Sequence, residues 1–311
     1  GSGMELEICI GAKMIPASRL AWTRLDEYDG PRPSPAERII SVTNLVAPPR
    51  IVRLSVLHRD EVPSSAPRYE NGRLVTPDTW QVFGTALHST LERAARAADP
   101  PPILVEHRLE TQVNGWTLSG KLDVFEADLT LWDWKSTSAY SVSEGRQGKG
   151  EWACQLNTLA WLLARTGHPR PKRLAVWGFW KDWSSKMSDR NGDAYPEDDE
   201  GPVEVPLWSE EECYAYVTGR LALHEAARTE LPLCTPEERW AKDAGFAVLK
   251  SPKAPRADRI FSTREDAERY RAEILNGRGI VEERPGTSNR CARYCKANFA
   301  CDFYQKSLDK R

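Results

Sequence analysis

Between residues 103 and 183 the sequence lays out two β-rich segments joined by a tight turn, a third close behind, a helix and a fourth apolar segment. Few folds accept that order. ILVEHRLETQV and WTLSGKLDVFEADL flank Asn114-Gly115, a pair suited to the positive φ angles of a two-residue hairpin turn. LTLWDWKST follows as a third strand, and WACQLNTLAWLLART (152–166) has helical periodicity up to Gly167, a residue suited to a left-handed helix cap. RLAVWGFWKDW (173–183) then reads as a buried strand. The intervening helix has the length of a right-handed crossover, which makes the third and fourth strands parallel while the first three run antiparallel. The expected fold is α/β, a mixed central sheet flanked by helices.

Upstream, TWQVFGTALHSTLERAARA (79–97) places Val82, Phe83, Ala86, Leu87 and Leu91 at helical spacing, with Asp78 or Thr79 as cap. Residues 26–37 and 59–78, rich in Pro, Ser, Gly and charge, bracket a short apolar stretch. Downstream, 184–202 is a polar, acidic loop. Ser209 and Glu212 form a capping box that opens a helix to about Thr229. A further helix is expected over 263–275, and a strand pair around 246–249 and 259–261. Three parts result: an N-terminal arm (1–78), a core (79–183) and a helical C-terminal extension (184–311), together one compact unit.

The 311 residues carry 43 basic and 45 acidic side chains, a net charge of −2. That balance gives no global attraction for polyanions, so binding nucleic acid requires locally gathered cations. No apolar run approaches the ~20 residues that span a bilayer, and the expectation is a cytoplasmic protein without membrane contact. Gly148-Lys149 is followed by Gly150 and lacks the upstream glycine of a nucleotide-binding loop. No motor is encoded, and unwinding of a duplex would need a helicase or recombination partner.

Asp133 and Lys135 stand two apart on a strand, so both leave one face while Trp132 and Trp134 leave the other. Asp123, on the preceding strand after Gly120, can approach Asp133 at the sheet edge. Two carboxylates beside one ammonium suit a divalent cation and a reactive water. On the helix before the sheet, Gly84, His88 and Glu92 form one stripe at i, i+4 and i+8. Gly84 is read as letting the helix approach the sheet closely, His88 as a nitrogen ligand or phosphate contact. Gln155, on the crossover helix, can reach the same cleft. An Asp-x-Lys triplet or a helical His is commonplace alone; the ordered set is not.

With these residues in place the chain resembles the PD-(D/E)XK nuclease superfamily, in particular its RecB-like branch found in recombination, CRISPR-associated and phage or prophage proteins. GTALHSTLE (84–92) is similar to the Gly-x3-His segment, GKLD (120–123) to the second motif, DWK (133–135) to Asp/Glu-x-Lys, and QLNTLAW (155–161) to Gln-x3-Tyr, with Leu159 at the tyrosine. The resemblance covers about residues 40–183. It implies a restriction-endonuclease-like fold in which His88, Asp123, Asp133 and a carbonyl near Trp134 hold Mg²⁺ or Mn²⁺. It further implies that Lys135 positions or deprotonates the attacking water and that Gln155 completes the site. Glu92 could complete a second metal site or be only a surface carboxylate, and Glu106, before the Asn-Gly turn, is a candidate to support the ligands from behind.

Cys291, Cys295 and Cys301 fall within eleven residues, and a cytosolic chain argues against disulfides. Three thiolates want a fourth ligand. Iron–sulfur members of the branch take it from a Cys-Pro-Arg element, but here Pro48 occupies that position in NLVAPPRIVRL. Cys234, in the proline-flanked LPLCTPEERW, is the first choice and Cys9 the second. Iron, as a [4Fe–4S] cluster, is favoured by the resemblance, and zinc is the alternative; unligated buried thiols are the plainer reading. Cys154 and Cys213 lie in helices as packing residues.

The expected substrate is DNA, single-stranded or at ends, cut by an exonuclease. Among twelve tryptophans, mostly core, Trp134, Trp152, Trp180 or Trp183 can stack on unpaired bases. Lys250, Lys253, Arg256 and Arg259, with Arg290, Arg293 and Lys296, can line a phosphate channel. Two rival readings remain: a DNA-binding or assembly module that keeps the fold but hydrolyses little, and an interaction protein stapled by its cysteines.

Overall fold

A computed structural model describes residues 30, 32–61, 68–70, 73–75, 79–143 and 150–308. In chain order its main strands are β1 (Ile39–Ser41), β2 (Leu104–Val113), β3 (Trp116–Phe125), β4 (Thr130–Thr137), β5 (Arg173–Trp180), β6 (Glu200–Val205), β7 (Gly245–Leu249), β8 (Arg259–Phe261) and β9 (Ile280–Arg284). The helices used below are α1 (Val42–Val46), α2 (Pro49–Leu57), α3 (Thr79–Arg96), α4 (Gly150–Arg165), α5 (Glu210–Thr229) and α6 (Arg264–Ile274). They divide between two compact units: one holds the described residues of 1–47 and 63–225, the other those of 48–62 and 226–311.

The first unit is built on a mixed sheet in the order β1–β3–β4–β5–β6, with β2 also paired to β3. Asn114 (φ 47°) and Gly115 (φ 76°) close the β2–β3 hairpin in the left-handed region that their sequence favours. β4 and β5 run parallel, from Thr130 opposite Arg173 to Thr137 opposite Trp180, with α4 as the crossover between them. β6 closes the far edge antiparallel to β5. The apolar stretch 39–57, which has no clear period in sequence, supplies β1, α1 and α2. Ser41 starts α1 by accepting the Asn44 amide on its hydroxyl.

α4 buries Leu156, Leu159, Leu162 and Leu163 against Leu118, Leu122, Leu131 and Val176 of the sheet. α5 begins at the expected capping box, in which Ser209 N–H donates to Glu212 and Glu212 N–H donates back to the Ser209 hydroxyl. Its Cys213, Val217 and Leu221 join the same core, so residues 200–225 belong with the strands that precede them.

One irregularity positions the site. On the edge of β3 away from β2, residues 117–119 pair with β1 and residues 124–125 pair with β4. Between them, from Gly120 to Asp123, that edge has no ladder partner among the described residues. The sheet forks there.

In the second unit, β7 lies between antiparallel β8 and β9, and α6 starts from Thr263, whose hydroxyl accepts the Asp266 amide. The third strand, β9, is an addition to the expected pair. A separate small core gathers Leu54 of α2, Ala297 and Cys301 with Leu231, Cys295, Phe303 and Tyr304.

Candidate active site

At the fork the backbone of Trp134 is free of β3, and side chains take its polar groups. Its amide donates to Asp123 Oδ2 at 2.6 Å, and its carbonyl oxygen lies 3.0 Å from His88 Nε2. α3 presents the other imidazole nitrogen, Nδ1, at 3.5 Å from both Asp123 Oδ1 and Glu106 Oε1. His88, Glu106 and Asp123 each offer one ligand atom within 4.8 Å of the others. Among the described residues no other trio of histidine, cysteine and acidic groups meets so closely.

Asp133 stands beside this trio, 4% exposed. Lys135 Nζ donates to Asp133 Oδ1 at 2.9 Å, and Gln155 binds both, its Nε2 donating to Asp133 Oδ1 at 3.3 Å and its Oε1 accepting from Lys135 at 3.4 Å. Burial pushes the Asp133 carboxyl up to about 6, against the pull of Lys135 and with the help of Asp123. Lys135 is held above its ordinary value: burial opposes its charge, but Asp133 and Asp123 outweigh it. Burial also opposes charge on His88, yet the neighbouring Asp123 and Glu106 carboxylates prevail and push it up to about 10.

Two buried carboxylate oxygens among the described residues have no hydrogen-bond partner, Glu106 Oε1 and Asp133 Oδ2. Oδ2 lies 2.7 Å from Lys135 Nζ, outside hydrogen-bonding geometry. Buried carboxylate oxygens that lack a hydrogen-bond donor are costly, and a divalent cation between them would offset that cost. Hard oxygen donors with one imidazole suit Mg²⁺ or Mn²⁺, and the residues fit the metal that the sequence pattern implies.

The structure therefore brings together His88, Asp123, Asp133, Lys135 and Gln155, and it moves Glu106 into the tightest donor set. The signal for Glu106 is present in the hairpin: it lies eight residues before Asn114, as Asp123 lies eight after Gly115, so the turn sets them opposite. The flanking pairs Val105–Val124 and His107–Leu122 follow that register. Glu106 has φ 47° within its strand, a strained conformation of the kind that gathers at functional sites, and its Oε2 pairs with Lys121 at 2.8 Å.

Other candidate residues stand as follows. Glu92 pairs with Arg96 at 2.8 Å. A Cβ on Gly84 would meet nothing within 4 Å, so this glycine does not serve close helix–sheet packing; that role falls to Gly120, whose Cβ would come within 2.9 Å of Leu159, Val42 and Leu162. Trp134, Trp152 and Trp180 are buried, which withdraws their rings from a bound strand, and Trp183, partly buried, gives its N–H to the Pro196 carbonyl. Lys250 pairs with Asp258 at 2.8 Å, and Arg259 lies over the rings of Phe261 and Tyr270. Lys253 and Arg256 are exposed in the same second unit.

Cys234, Cys291, Cys295 and Cys301 all lie in that unit. Burial, and then the neighbouring Glu238 and the other three thiols, push the Cys234 thiol up to about 12. No three of the sulfurs come within 4.8 Å of one another. Arg50, buried, donates through Nε to Cys301 Sγ at 3.4 Å and through Nη1 to the carbonyls of Leu231 and Pro232 at 3.2 Å, and it pairs with Asp302. Cys9 lies outside the described residues.

A family model for the PD-(D/E)XK nuclease superfamily matches residues 85–302. The chain belongs to the PD-(D/E)XK nuclease superfamily. Its mixed sheet flanked by helices is the restriction-endonuclease-like fold expected of such nucleases. No curated protein matches it. Among solved structures it is similar to SSO0001, at 17% identity and a TM-score of 0.42 over 67% of this chain and 84% of that one. A candidate exonuclease of Eubacterium rectale aligns at 12% identity and a TM-score of 0.31 over 57% of this chain and 64% of the other. No helix among the described residues is long and apolar enough to cross a membrane.

Proposed function

We propose that this PD-(D/E)XK protein is a Mg²⁺- or Mn²⁺-dependent deoxyribonuclease that acts on ends or unpaired strands of DNA in recombination, repair or phage DNA processing. One observation carries the reading: the fork between β3 and β4 places Asp123, Asp133 and Lys135 with His88 and Glu106, and leaves two buried carboxylate oxygens unsatisfied. A divalent cation bound there neutralises phosphate charge and lowers the pKa of a water. Asp123, His88 and Glu106 would hold it, together with Asp133, which the sequence resemblance names as a ligand. Lys135, fixed by Asp133 and Gln155, donates to the attacking water or to a phosphate oxygen as negative charge builds. The buried tryptophans behind the site keep these side chains in place.

The cysteines support a second, structural centre. The sequence resemblance favours an iron–sulfur cluster held by Cys234, Cys291, Cys295 and Cys301, with tetrahedral zinc on the same four thiolates as the alternative. Its function is to fasten the short segments around Cys291–Cys301, which bury little apolar surface of their own.

Cleavage of labelled single-stranded and duplex DNA with Mn²⁺, Mg²⁺ or chelator tests the nuclease, comparing the parent with Asp133→Asn and Lys135→Met. Metal-dependent cutting abolished in both variants supports it, and product lengths separate end-directed from internal cutting. A parent that binds DNA and never cuts refutes it. Iron content and visible absorbance of anaerobically purified protein, with and without Cys234→Ser, test the cluster; colourless protein holding zinc overturns it.

A further inference from the structure

With Trp134, Trp152 and Trp180 buried and Trp183 partly so, exposed aromatic rings stand on α3, the helix that carries His88. Trp80 is 62% exposed and Phe83 47%, and their rings meet edge to face at 6.1 Å. Trp80, Gly84 and His88 succeed each other at four-residue intervals and share one face of the helix. His88 belongs to the donor set, so the indole stands on the same stripe, ~12 Å away at 1.5 Å per residue. That distance is about three base steps at ~3.4 Å each.

The helix surface between them is bare, since even a Cβ at Gly84 would touch nothing within 4 Å. A Gly in mid-helix costs roughly 0.5–1 kcal/mol relative to Ala, and here no close contact explains it. Lys181 places its ammonium 4.6 Å from the centre of the Trp80 ring. Its own amide donates to the Thr137 carbonyl at 2.8 Å, which fixes it at the carboxyl ends of parallel β4 and β5. That end lies two residues beyond Lys135, and ligands of parallel α/β sheets bind outside such strand ends.

Exposed rings, a cation against one of them and an open lane to the metal donors form a consistent set. We propose that Trp80, supported by Phe83 and Lys181, stacks on an unpaired base of the DNA strand being cut, and that Gly84 keeps the lane to His88 open for that strand. The occupant is a single strand, because a π-stacking ring takes any unpaired base while paired bases hide their faces. Lys181 answers the phosphate charge next to the stacked base. The proposal rests on the nuclease reading and deepens it to a preference for unpaired substrate.

The test separates binding from cutting. Anisotropy with labelled oligo(dT) and with a duplex of equal length, in Ca²⁺, measures binding by the parent, Trp80→Ala, Trp80→Phe and Gly84→Leu; Mn²⁺ then starts cleavage. Trp80→Ala is expected to weaken single-strand binding by about 5- to 150-fold, leave duplex binding unchanged and be largely rescued in Trp80→Phe. Gly84→Leu is expected to raise the melting temperature, because it improves helix propensity, while slowing single-strand cleavage at least 10-fold. Parent-like binding and cleavage by Trp80→Ala and Gly84→Leu overturn the platform even if the parent is an active nuclease. A parent that never cuts but binds oligo(dT) through Trp80 refutes the nuclease reading and leaves the platform standing.

Discussion

Asp123 Oδ2 accepts the backbone amide of Trp134 at 2.6 Å, where the strand that would otherwise pair with it has turned away. A carboxylate of the candidate site thereby does the work of a sheet hydrogen bond. Removing the acceptor in Asp123→Ala strands a buried N–H and should cost about 1–3 kcal/mol, whereas Asp123→Asn keeps an oxygen at that place and most of the stability. Both variants should lose cleavage by at least 100-fold. Urea denaturation beside a cleavage assay checks this, and equal stability of the two variants would show that the bond contributes nothing.

Glu106 reaches the donor set from the opposite strand. Glu106→Gln keeps its shape and removes its charge, and Mn²⁺ affinity by titration calorimetry should fall about 10- to 100-fold. Parent-like affinity would reduce Glu106 to a partner of Lys121.

Gly120 faces α4 with no room for a methyl group, its hypothetical Cβ lying 2.7 Å from Leu159 Cδ2 and 2.8 Å from Val42 Cγ2. Gly120→Ala should therefore destabilise the first unit by about 1–3 kcal/mol through overpacking. Gly84→Ala, set in open space, should stabilise it by a few tenths to ~1 kcal/mol. Thermal melts of the two variants should move in opposite directions.

His224 is 4% exposed, and its Nε2 lies 3.1 Å from the Leu45 carbonyl. Burial, offset in part by that carbonyl and reinforced by Arg220, pushes its pKa down to about 4 from 6.5. The unfolded chain binds the proton first as pH falls, so this group's contribution is complete above pH 6.5 and is lost by pH 4. The loss is about 3 kcal/mol. Urea denaturation between pH 7 and 4 should show a shallower decline for His224→Gln than for the parent.

Arg50 donates to one sulfur and two carbonyls in the small core of the second unit. Arg50→Ala leaves the Cys301 sulfur and the two carbonyls without this donor, and should destabilise that unit by about 1–3 kcal/mol. Arg50→Lys should recover little, because one ammonium cannot match the guanidinium fork. Limited proteolysis of residues 226–308 offers a direct readout.

Local chemistry made much of this molecule readable in one dimension. Asn114-Gly115 announced its hairpin, Ser209 with Glu212 its helix start, and the helix between the third and fourth strands their parallel pairing, because φ preferences, caps and crossover lengths depend on neighbours in sequence. Asp133, Lys135 and Gln155 were legible for the same reason: strand alternation and the crossover decide where each side chain points. Glu106 was within reach by counting back from the turn, yet its place in the candidate donor set depends on α3 bringing His88 to 3.5 Å. Only the tertiary structure decided the fork in β3, since β1 and β4 compete for one strand edge from opposite ends of the first unit. Only it separated buried Trp134 and Trp180 from exposed Trp80, and open Gly84 from crowded Gly120. Burial is settled by what packs from elsewhere in the chain, and no period in the sequence records it.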